Sequence, residues 1–580
     1  MYRRLLRSVR EYKLPSILTL AFMVLEAGIE TAIPFITAQL VNSFEAGASM
    51  PEILKIGLVL AVMAIVSLCC GGLGGYTCAK ASSGFAKNLR HDVFTKIQTY
   101  SFGNIDKFSS SSLVTRMTTD INHVQMSYMM IIRTAVRAPL MFTFSIIMAY
   151  VMGGALSATF VVVIPVLIFG LVMIARKAMP AFRRVFKKYD RLNESIEENV
   201  RAMRVGKGFS RENYEKQKFV TASDNIRADF TKAERIVALN GPVMQVCLYF
   251  NMVFVLLVGS YLAITSGGSI VYVGQISAML TYGMQILMSL MMLSMIYVML
   301  TMSGESVKRL DEVLREVPTL KNPETPIYDV KDGSIVFENV SFKYSETAKN
   351  FALADIDINI KSGMTVGIIG GTGSSKSTLV QLIPRLYDVS VGKVTVGGVD
   401  VRDYDIKSLR SSVAMVLQKN LLFAGTIKDN IRWGNKDATD EEIIEACKLA
   451  SAHDFIESFP EKYDTHIEQG GTNVSGGQKQ RLCIARALIS RPKILILDDS
   501  TSAVDMKTDA MIRAGLKKYL PETTKIIIAQ RIASVQDADL IIVMDNGKIS
   551  AKGNHEELMT TSEIYREVYE QQNKGGDENE

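Results

Sequence analysis

The sequence has few cysteines, and none of them is spaced as a ligand group. Six cysteines occur in 580 residues, with neither a CxxC pair nor the His-supplemented spacing of a zinc site. A cysteine metal centre is therefore not indicated. Four of the six fall in apolar helical segments, where a thiol behaves as a small hydrophobic side chain. We expect core thiols at Cys69, Cys70, Cys78, Cys247, Cys447 and Cys483.

The sequence also lacks a concentrated basic segment. Its 65 Lys and Arg residues against 59 Asp and Glu residues give a net charge of +6, which is small for this length. Because the basic residues are spread along the chain, a nucleic-acid partner is not indicated. The opening MYRRLLRSVREYKLP is too charged for a cleavable signal. It predicts instead an amphipathic helix on the membrane surface that leads into the first span.

Long apolar stretches, by contrast, are abundant up to about residue 315. Each is close to the roughly 20 residues that cross a bilayer as a helix. Charges, glycines and short β-branched runs become frequent after about residue 330, as in a soluble α/β domain. A membrane half with six helices and a lipid-bilayer partner is therefore predicted. We place the spans near 16–42, 53–79, 139–152 (completed by the residues before it), 155–176, 242–265 and 272–302.

Lys and Arg are missing from the connections on one side of these spans. The short connections at 45–51, 153–155 and 265–269 contain neither residue, whereas the connections on the other side are rich in both. By the positive-inside rule, the basic connections and both termini are predicted to be cytoplasmic.

The basic connections have a strongly helical pattern with few breakers. If the helices continue through them, each extends roughly 25 residues, or about 35–40 Å, beyond the hydrocarbon. Breaks at 101–112 and 206–214 lie where adjacent long helices must turn back. We expect these two breaks to be contact elements for the soluble half.

Two acidic residues, Glu26 and Glu30, lie one helical turn apart in the first apolar helix. An ionised side chain in a span is costly and usually functional. In one interpretation, these carboxylates pair with Arg or backbone donors of a neighbouring helix or lie near a wet cavity. In the other, they attract a cationic substrate. The sequence leaves both interpretations open.

The last span carries methionines mostly at three- and four-residue steps, which places them on one helix face. Methionine packs adaptably and occurs on promiscuous binding surfaces, although such a stripe is more often ordinary helix packing. With Glu26 and Glu30, three of these methionines are candidates for a substrate cavity, namely Met284, Met288 and Met295. The full stripe is Met284, Met288, Met291, Met292, Met295, Met299 and Met302.

A glycine-rich segment follows the strand-like run MTVGIIG (364–370) and precedes a helix-like run. This order is typical of a P-loop, whose backbone N–H groups surround the phosphates of a nucleotide. Lys376 would reach the β- and γ-phosphate oxygens, and Ser377 would ligate magnesium. The residue before the lysine is usually glycine, but here it is Ser375. The predicted ATP-binding residues are Gly370, Gly371, Thr372, Gly373, Ser374, Ser375, Lys376, Ser377 and Thr378.

A second buried strand, ILILD, ends at two adjacent acids, Asp498 and Asp499. We expect this strand to lie parallel to the P-loop strand in the same sheet. Asp498 would then hold the magnesium, directly or through water. Upstream, NVSGGQKQRLCIARAL (473–488) is a glycine turn that opens a helix, which is a further phosphate-binding end.

With its P-loop, SGGQ, RLCIARAL and ILILDD, the chain resembles an ATP-binding cassette (ABC) exporter half-transporter. The resemblance implies a six-helix all-α transmembrane domain fused to an α/β P-loop nucleotide-binding domain that uses ATP and Mg²⁺. It implies that Tyr344 stacks on adenine and that Gln418 senses magnesium and contacts the coupling helices. It also implies a signature motif at Ser475, Gly476, Gly477 and Gln478, and a D-loop at Ser502, Ala503, Val504 and Asp505.

Three single residues depart from the family pattern, and the stretch EQGGTN (468–473) before the signature motif also differs from it. The general base is normally glutamate, but Asp499 is one methylene shorter, which withdraws the oxygens by about 1–1.5 Å. A displacement of that size can cost on the order of 100-fold in rate. The switch histidine is replaced by Gln530, which donates a hydrogen bond but cannot become cationic. Asp499, Gln530 and Ser375 all belong to the site on this chain's own P-loop.

In this family two chains face head to tail, and the P-loop of one meets the signature motif of the other. The three departures lie in the site on this chain's own P-loop, whereas the signature motif and D-loop, which serve the opposite site, look intact. This difference between the two sites resembles the degenerate-site subunit of a heterodimeric bacterial multidrug exporter. A homodimer with two slow sites is one alternative, and an engineered substitution at Ser375 is another origin for that departure. The resemblance implies a multi-pass protein of the bacterial cell membrane.

The expected activity is ATP-driven outward transport of hydrophobic or amphipathic compounds, with hydrolysis mainly at the site completed by the partner. A lipid, peptide or siderophore transporter of the same fold is one alternative. Another is a regulatory ATP-binding subunit that does not pump. The predicted domains are a transmembrane domain over 1–316, a linker over 317–334, a nucleotide-binding domain over 335–575 and a polar tail over 576–580.

Overall fold

The computed structural model describes residues 2–265, 271–500 and 503–574, and it divides into two units. The first unit contains the residues up to Thr99 together with Ser109–Glu316. The second contains Tyr100–Phe108 together with the described residues from Val317 onward. The short segment 100–108, which the sequence analysis places in the membrane half, therefore belongs to the second unit.

In its described residues, the first unit contains helices and the connections between them, and no strand. Its long helices are joined by short turns, such as the one at Gly47, where φ is +72°. Most of the predicted connection at 265–269 lies outside the described residues. The α-helices of residues 2–315, including the short α4 of the second unit, are α1 Tyr2–Leu5, α2 Lys13–Glu45, α3 Met50–Gln98, α4 Phe102–Phe108, α5 Ser110–Thr115, α6 Ile121–Ile132, α7 Thr134–Gly153, α8 Ala158–Arg201, α9 Met203–Gly208, α10 Glu212–Val237, α11 Asn240–Thr265 and α12 Val273–Arg315.

Within the part of the chain that the structure describes, six helical stretches are long and apolar enough to cross a membrane, which confirms the six predicted spans. The second of them begins with a capping box, in which the Ser49 backbone N–H donates to Glu52 and the Ser49 side chain accepts from the first turn. Along α3, leucines such as Leu58 and Leu68 are exposed, as expected for a lipid-facing helix. The stretches are Tyr2–Glu45, Met50–Gln98, Ser110–Gly153, Ala158–Phe182, Glu212–Thr265 and Val273–Arg315.

The N-terminal segment is less regular than the predicted amphipathic helix. After α1, residues Leu6–Tyr12 form a 3-10 helix that contains a non-helical residue, Arg10, with φ +40°. The segment is held against α3 because Asn88 Nδ2 donates to the Ser8 carbonyl at 3.0 Å and Ser8 Oγ donates to Asp92 at 2.6 Å. These bonds to a neighbouring helix explain why the segment departs from a continuous α-helix.

The core of the first unit lies where α2, α7 and α12 pack together. Tyr282 of α12 is fully buried there and donates a hydrogen bond to the Thr31 carbonyl of α2 at 2.8 Å. Around it, Ala38, Ala149 and Ile286 have little or no exposed surface. Small and β-branched side chains at this crossing allow the three helices to approach closely.

The second unit contains two main sheets. One has the antiparallel order β2-β1-β4-β5, and the other has the order β12-β11-β3-β10-β9-β6, parallel except for β12 at its edge. A two-stranded pair, β7-β8, completes the set found in the described residues. The strands are β1 Ile335–Phe342, β2 Leu353–Ile360, β3 Thr365–Gly370, β4 Val391–Val396, β5 Val399–Asp400, β6 Val413–Val416, β7 Gly425–Thr426, β8 His466–Ile467, β9 Ile494–Asp498, β10 Thr524–Ile528, β11 Leu540–Asp545 and β12 Lys548–Gly553.

The helices of the second unit pack on both sides of the six-stranded sheet, which gives two hydrophobic clusters. Alternate residues of β9 enter the two clusters, so the strand is buried along its whole length. The helices are α13 Lys376–Gln381, α14 Ile406–Ser412, α15 Ile427–Arg432, α16 Asp440–Leu449, α17 His453–Glu457, α18 Gly476–Leu488, α19 Met506–Tyr519, α20 His555–Thr561 and α21 Glu563–Lys574.

The strand order places the predicted site at one edge of this sheet. The P-loop strand β3 and the ILILD strand β9 are parallel in the same sheet, as predicted, with β10 between them. Ile528 of β10 pairs with both Ile368 of β3 and Asp498 of β9. The residues that follow these strands therefore emerge side by side, where ligands bind in open α/β sheets.

Candidate functional site

The P-loop leaves β3 through residues with left-handed or otherwise glycine-like backbone angles. The φ angles are +159° at Gly370, +85° at Gly373 and +69° at Ser375. A Cβ added at Gly371 or Gly373 would meet no protein atom within 4 Å, so the loop is open on that side. Such a curled backbone presents its N–H groups to an anion. Ser375 therefore occupies a position that favours glycine, because a side chain in the left-handed region costs about 1–2 kcal/mol.

Replacing Ser375 by glycine is expected to stabilise the ATP-binding unit. Relief of the left-handed strain exceeds the extra backbone entropy of glycine, which leaves a gain of about 0.5–1 kcal/mol. For a domain of this size we expect the thermal midpoint to rise by about 2 °C. The matched control is Ser374→Gly, because Ser374 lies outside the left-handed region. A rise for Ser374→Gly that equals the rise for Ser375→Gly would contradict the explanation by backbone strain.

Lys376 begins α13 and turns its ammonium group back over the loop. Its Nζ donates to the carbonyl oxygens of Gly370 and Gly371, both at 2.8 Å, and to Ser374 Oγ at 3.3 Å. Burial lowers the pKa of Lys376, while the nearby carboxylates of the ILILDD segment act in the opposite direction. A partly buried cation beside open backbone donors fits a phosphate group.

Asp498 ends β9 and is almost completely buried. Burial raises the pKa of Asp498, the Asp499 charge acts in the same direction, and a hydrogen bond to Ser377 and the charge of Lys376 oppose it. Ser377 and Asp498 thus lie in contact, as predicted for magnesium ligands. Among the residues the structure covers, no group of three or more His, Cys, Asp or Glu could hold a metal ion. A hydroxyl and one carboxylate suit a Mg²⁺ that keeps waters and phosphate oxygens as its other ligands.

The predicted catalytic residues Asp499 and Gln530 and the predicted magnesium sensor Gln418 meet at one oxygen atom. Asp499 Oδ2 accepts a hydrogen bond of 2.8 Å from Gln530 Nε2 and one of 3.4 Å from Gln418 Nε2. A backbone hydrogen bond brings Asp499 close to the segment of Gln530, because the Asp499 N–H donates to the carbonyl of Ile528, the last residue of β10, at 3.0 Å. Asp499 also has a positive φ of +49°, which turns its side chain away from the strand direction.

Tyr344, the predicted adenine-stacking residue, lies next to the P-loop helix. Its hydroxyl shares a hydrogen bond of 2.9 Å with Thr378 Oγ1. The ring stands edge-on to Phe342, with centroids 4.9 Å apart, and edge-on to Tyr387, with centroids 5.2 Å apart. Tyr344 remains about half exposed, so one side of its ring is available for stacking.

Tyr387, which no sequence pattern indicated, joins this aromatic group to α4. Its hydroxyl donates to Asp106 Oδ2 at 2.7 Å, and its ring lies edge-on to Phe102 with centroids 6.1 Å apart. Burial and the Asp106 carboxylate both raise the pKa of Tyr387. The first predicted break, at 101–112, therefore does contribute a contact element to the second unit.

Asn104 fixes α4 to the segment that follows α12. Its Oδ1 accepts from the backbone N–H of Ser101 at 3.1 Å and of Thr319 at 3.2 Å, and its Nδ2 donates to the Val317 carbonyl at 3.1 Å. Ser101 and Thr319 also share a short side-chain hydrogen bond. Asn104 is buried, so all of these bonds form where water competes little.

The predicted signature motif opens α18. Ser475 is the N-cap in a capping box with Gln478: the Ser475 N–H donates to Gln478 Oε1 at 2.9 Å, and the Gln478 N–H donates to Ser475 Oγ at 3.3 Å. A Cβ added at Gly477 would lie 2.8 Å from the Ala503 carbonyl oxygen. The signature glycine therefore packs directly on the predicted D-loop.

The D-loop is held in place by two further contacts. The Ala503 N–H donates to Gln480 Oε1 at 3.0 Å, and Asp505 is the N-cap of α19, where its Oδ1 accepts from the Thr508 N–H at 2.9 Å. Hydrogen bonding to the Thr508 N–H lowers the pKa of Asp505. Val504 is buried, and Ser502 lies outside the described residues. The described residues of the signature motif and the D-loop therefore form one cluster in this chain.

In the first unit, Glu26 and Glu30 of α2 both face Arg137 of α7. Arg137 Nη2 lies 2.6 Å from Glu30 Oε2 and 3.5 Å from Glu26 Oε1. Glu26 is buried. This geometry corresponds to the pairing interpretation rather than to a pair of free carboxylates.

The methionine candidates of α12 are only partly covered within this chain. Met284, Met288 and Met295 are 54%, 42% and 63% exposed, which argues against ordinary packing between helices of one subunit. Elsewhere on α12, Leu293 and Tyr297 border a cavity of about 530 Å³ shared with α8, which contributes Leu171 and Arg176. The cavity is mostly apolar and has a single guanidinium group.

Comparison with known proteins finds ABC transporter relatives over nearly the whole chain. Residues 16–291 match the ABC transporter transmembrane region, and residues 353–502 match the ABC transporter family. YfiB of Bacillus subtilis, an uncharacterized ABC transporter ATP-binding protein, is 35% identical over 570 residues, which covers 98% of each chain. YknU of the same organism, also an uncharacterized ABC transporter ATP-binding protein, is 32% identical and covers 83% of this chain and 82% of its own.

A solved structure supports the fold. The structure of a bacterial Atm1-family ABC exporter with ATP bound matches with a TM-score of 0.82 at 22% identity, covering 96% of this chain and 98% of that chain. The predicted fold class is confirmed. The chain therefore belongs to the ABC transporter family and carries the transmembrane region and the ATP-binding domain in a single polypeptide.

Proposed function

We propose that the chain is one half of a heterodimeric ABC exporter of the multidrug type. ATP binding and hydrolysis would drive alternating access and move hydrophobic or amphipathic compounds out of a bacterial cell. The lack of Lys and Arg in the connections on one side supports an orientation with both termini and the ATP-binding domain in the cytoplasm. The fused domains and the exporter fold support transport as the activity.

The observation that carries the degenerate-site part of the proposal is the set of partners of Asp499. Its Oδ2 accepts from two neutral glutamine amides. A general base must reach the water from which it takes a proton, but this carboxylate is short and its Oδ2 is already engaged. Gln530 cannot add a positive charge beside the γ-phosphate. These features favour ATP binding with slow turnover at this site.

The same residues have a clear role in holding nucleotide. Lys376 and the loop N–H groups would bind the phosphates, while Tyr344 would stack on the base. Ser377, Asp498 and Gln418 would hold Mg²⁺, which neutralises charge on the transferring phosphoryl group. Hydrolysis itself is attack by water on the γ-phosphorus with release of ADP and phosphate. We assign most of it to the site that a partner's P-loop forms with Ser475, Gly476, Gly477 and Gln478 of this chain.

The membrane unit supports an amphipathic substrate class. The cavity between α8 and α12 combines an apolar wall with the guanidinium of Arg176, and exposed methionines follow the same helix α12. Flexible, polarizable side chains suit compounds of varied shape. The pairing of Glu26 and Glu30 with Arg137 makes these two carboxylates a structural element of the proposal rather than the ligands of a cationic substrate.

Asp499→Ala tests the proposal directly. In the transporter purified through this chain, together with the half-transporter that copurifies, ATPase activity should change less than about twofold. Replacing the partner's matching glutamate by glutamine should lower it by about 100-fold or more. A homodimer with two slow sites would instead copurify with no second chain and lose its activity with Asp499→Ala.

Transport is separated from regulation by substrate dependence. In vesicles that contain the purified pair, hydrophobic cations and neutral amphiphiles should raise ATPase activity and accumulate across the membrane with ATP. A regulatory subunit that does not pump would give ATP binding with no substrate-dependent turnover. A response confined to lipids, peptides or siderophores would replace the multidrug assignment with one of those substrate classes.

A further inference from the structure

The last helix of the chain contacts the segment that carries Gln530. Gln572 lies near the end of α21, and its side-chain amide makes two hydrogen bonds to the backbone that follows β10. Gln572 Nε2 donates to the Gln530 carbonyl at 2.8 Å, and Gln572 Oε1 accepts from the Ile532 N–H at 2.8 Å. One side chain therefore holds the backbone on both sides of Arg531.

The helix that presents Gln572 is itself firmly anchored. Tyr565 of α21 is fully buried, and its hydroxyl shares a hydrogen bond of 2.7 Å with His555 Nδ1. Val568 and Tyr569 pack against the hydrophobic cluster that also contains Ile532. The position of Gln572 is thus fixed by a core and not by the two hydrogen bonds alone.

Through Gln530, the two hydrogen bonds of Gln572 are linked to Asp499 at the nucleotide site. The Gln530 backbone is held by Gln572, and its side-chain amide donates to Asp499 Oδ2 at 2.8 Å. A change in the backbone angles at Gln530 would move its Nε2 relative to Asp499 and to the space above the P-loop. The two hydrogen bonds from the Gln572 side chain restrict these angles, because they hold the backbone on both sides of Arg531.

We propose that Gln572 is a positioning residue for the nucleotide site, which fixes the direction in which Gln530 points its amide. The inference rests on the proposed function, because it assumes that Gln530 donates to the γ-phosphate. Through this contact, the C-terminal helix takes part in distinguishing a nucleoside triphosphate from a diphosphate.

The test compares the affinities for a nucleoside triphosphate and a diphosphate in the full-length chain purified alone. Without a partner chain, the nucleotide can bind only at the P-loop of this chain. The probes are ADP and a non-hydrolysable ATP analogue, competed against a fluorescent nucleotide. Gln572→Leu keeps the approximate shape of the side chain and removes both hydrogen bonds. We expect it to reduce the preference for the triphosphate by about five- to tenfold, which corresponds to about one lost hydrogen bond at Gln530.

Two further variants keep the test specific. Gln571→Leu changes the exposed neighbour of Gln572 and should leave the preference unchanged. Gln572→Glu still accepts from the Ile532 N–H but cannot donate to the Gln530 carbonyl, so it should also reduce the preference. Thermal midpoints close to that of the unmodified chain would show that α21 remains folded.

The two ways of failing are distinguishable through Gln530→Ala. If Gln530→Ala reduces the triphosphate preference and Gln572→Leu does not, Gln572 has no positioning role and the inference is wrong. If Gln530→Ala itself leaves the preference unchanged, the assumed contact to the γ-phosphate is wrong. That outcome overturns the role of Gln530 in the proposed function and the inference with it.

Discussion

Gly477→Ala is expected to lower the ATPase activity of the assembled transporter by about 100-fold. The added Cβ would lie 2.8 Å from the Ala503 carbonyl oxygen, which is backbone and cannot rotate away. Either the start of α18 or the D-loop must shift. A shift of about 1 Å in a group that completes a catalytic site can cost about 100-fold in rate. Because this motif serves the competent composite site in the proposed heterodimer, no second site compensates.

The measurement is steady-state ATP hydrolysis by the purified assembly, with Gly515→Ala as the control. A Cβ at Gly515 in α19 would come no closer than 3.7 Å to another residue, so this change should have little effect. An unchanged rate for Gly477→Ala would mean that the signature motif of this chain does not complete an active site. A monomeric or misfolded Gly477→Ala protein is recognised by its elution volume and is not counted.

Arg137→Met is expected to destabilise the membrane unit by about 3 kcal/mol or more, because it removes the cation that contacts both carboxylates in an apolar environment. Arg137 lies 2.6 Å from Glu30 and 3.5 Å from Glu26. The yield of folded protein and its thermal midpoint in detergent should both fall. Neutralising Glu30 in the same chain, as Arg137→Met with Glu30→Gln, should restore part of the loss.

Lys55→Met is the matched control, since it removes an exposed positive charge from the neighbouring long helix α3 and should change the midpoint little. The result also decides between the two interpretations of the acidic pair. If the carboxylates exist to attract a cationic substrate, Arg137→Met should leave folding intact and increase the response to hydrophobic cations. Loss of folding with rescue by Glu30→Gln corresponds to a structural ion pair.

The periodic and local features of this chain were predictable from sequence. The six predicted apolar stretches of bilayer length are six long helices in the described residues. They were recognisable because the thickness of the membrane sets the length of an apolar spanning helix. The P-loop strand and the ILILD strand are parallel in one sheet, as predicted. This could be predicted because a strand buried on both faces of a parallel sheet has a continuous apolar sequence. Gln418, Asp499 and Gln530 follow the adjacent strands β6, β9 and β10, so their meeting results from where those three strands end.

Other parts of the site had no local signal. Tyr387 and Asp106 are 281 positions apart, and Asn104 and Thr319 are 215 positions apart. A single tyrosine or asparagine in a polar segment gives no indication of such a partner. Gln572 was hidden for the same reason, since a glutamine in a charged terminal helix reads as a solvated side chain. The left-handed φ of Ser375 was signalled only indirectly, by the missing glycine.

The discontinuous make-up of the second unit has a consequence for exchanging parts between relatives. Residues 100–108 belong to it although more than 200 residues separate them from Val317. A chimera that joins the transmembrane region of one transporter to the ATP-binding domain of another at the linker would keep α4 from the first parent and Tyr387 from the second. Compatible chimeras should therefore be those in which α4 is exchanged together with the ATP-binding domain, by three crossovers instead of one.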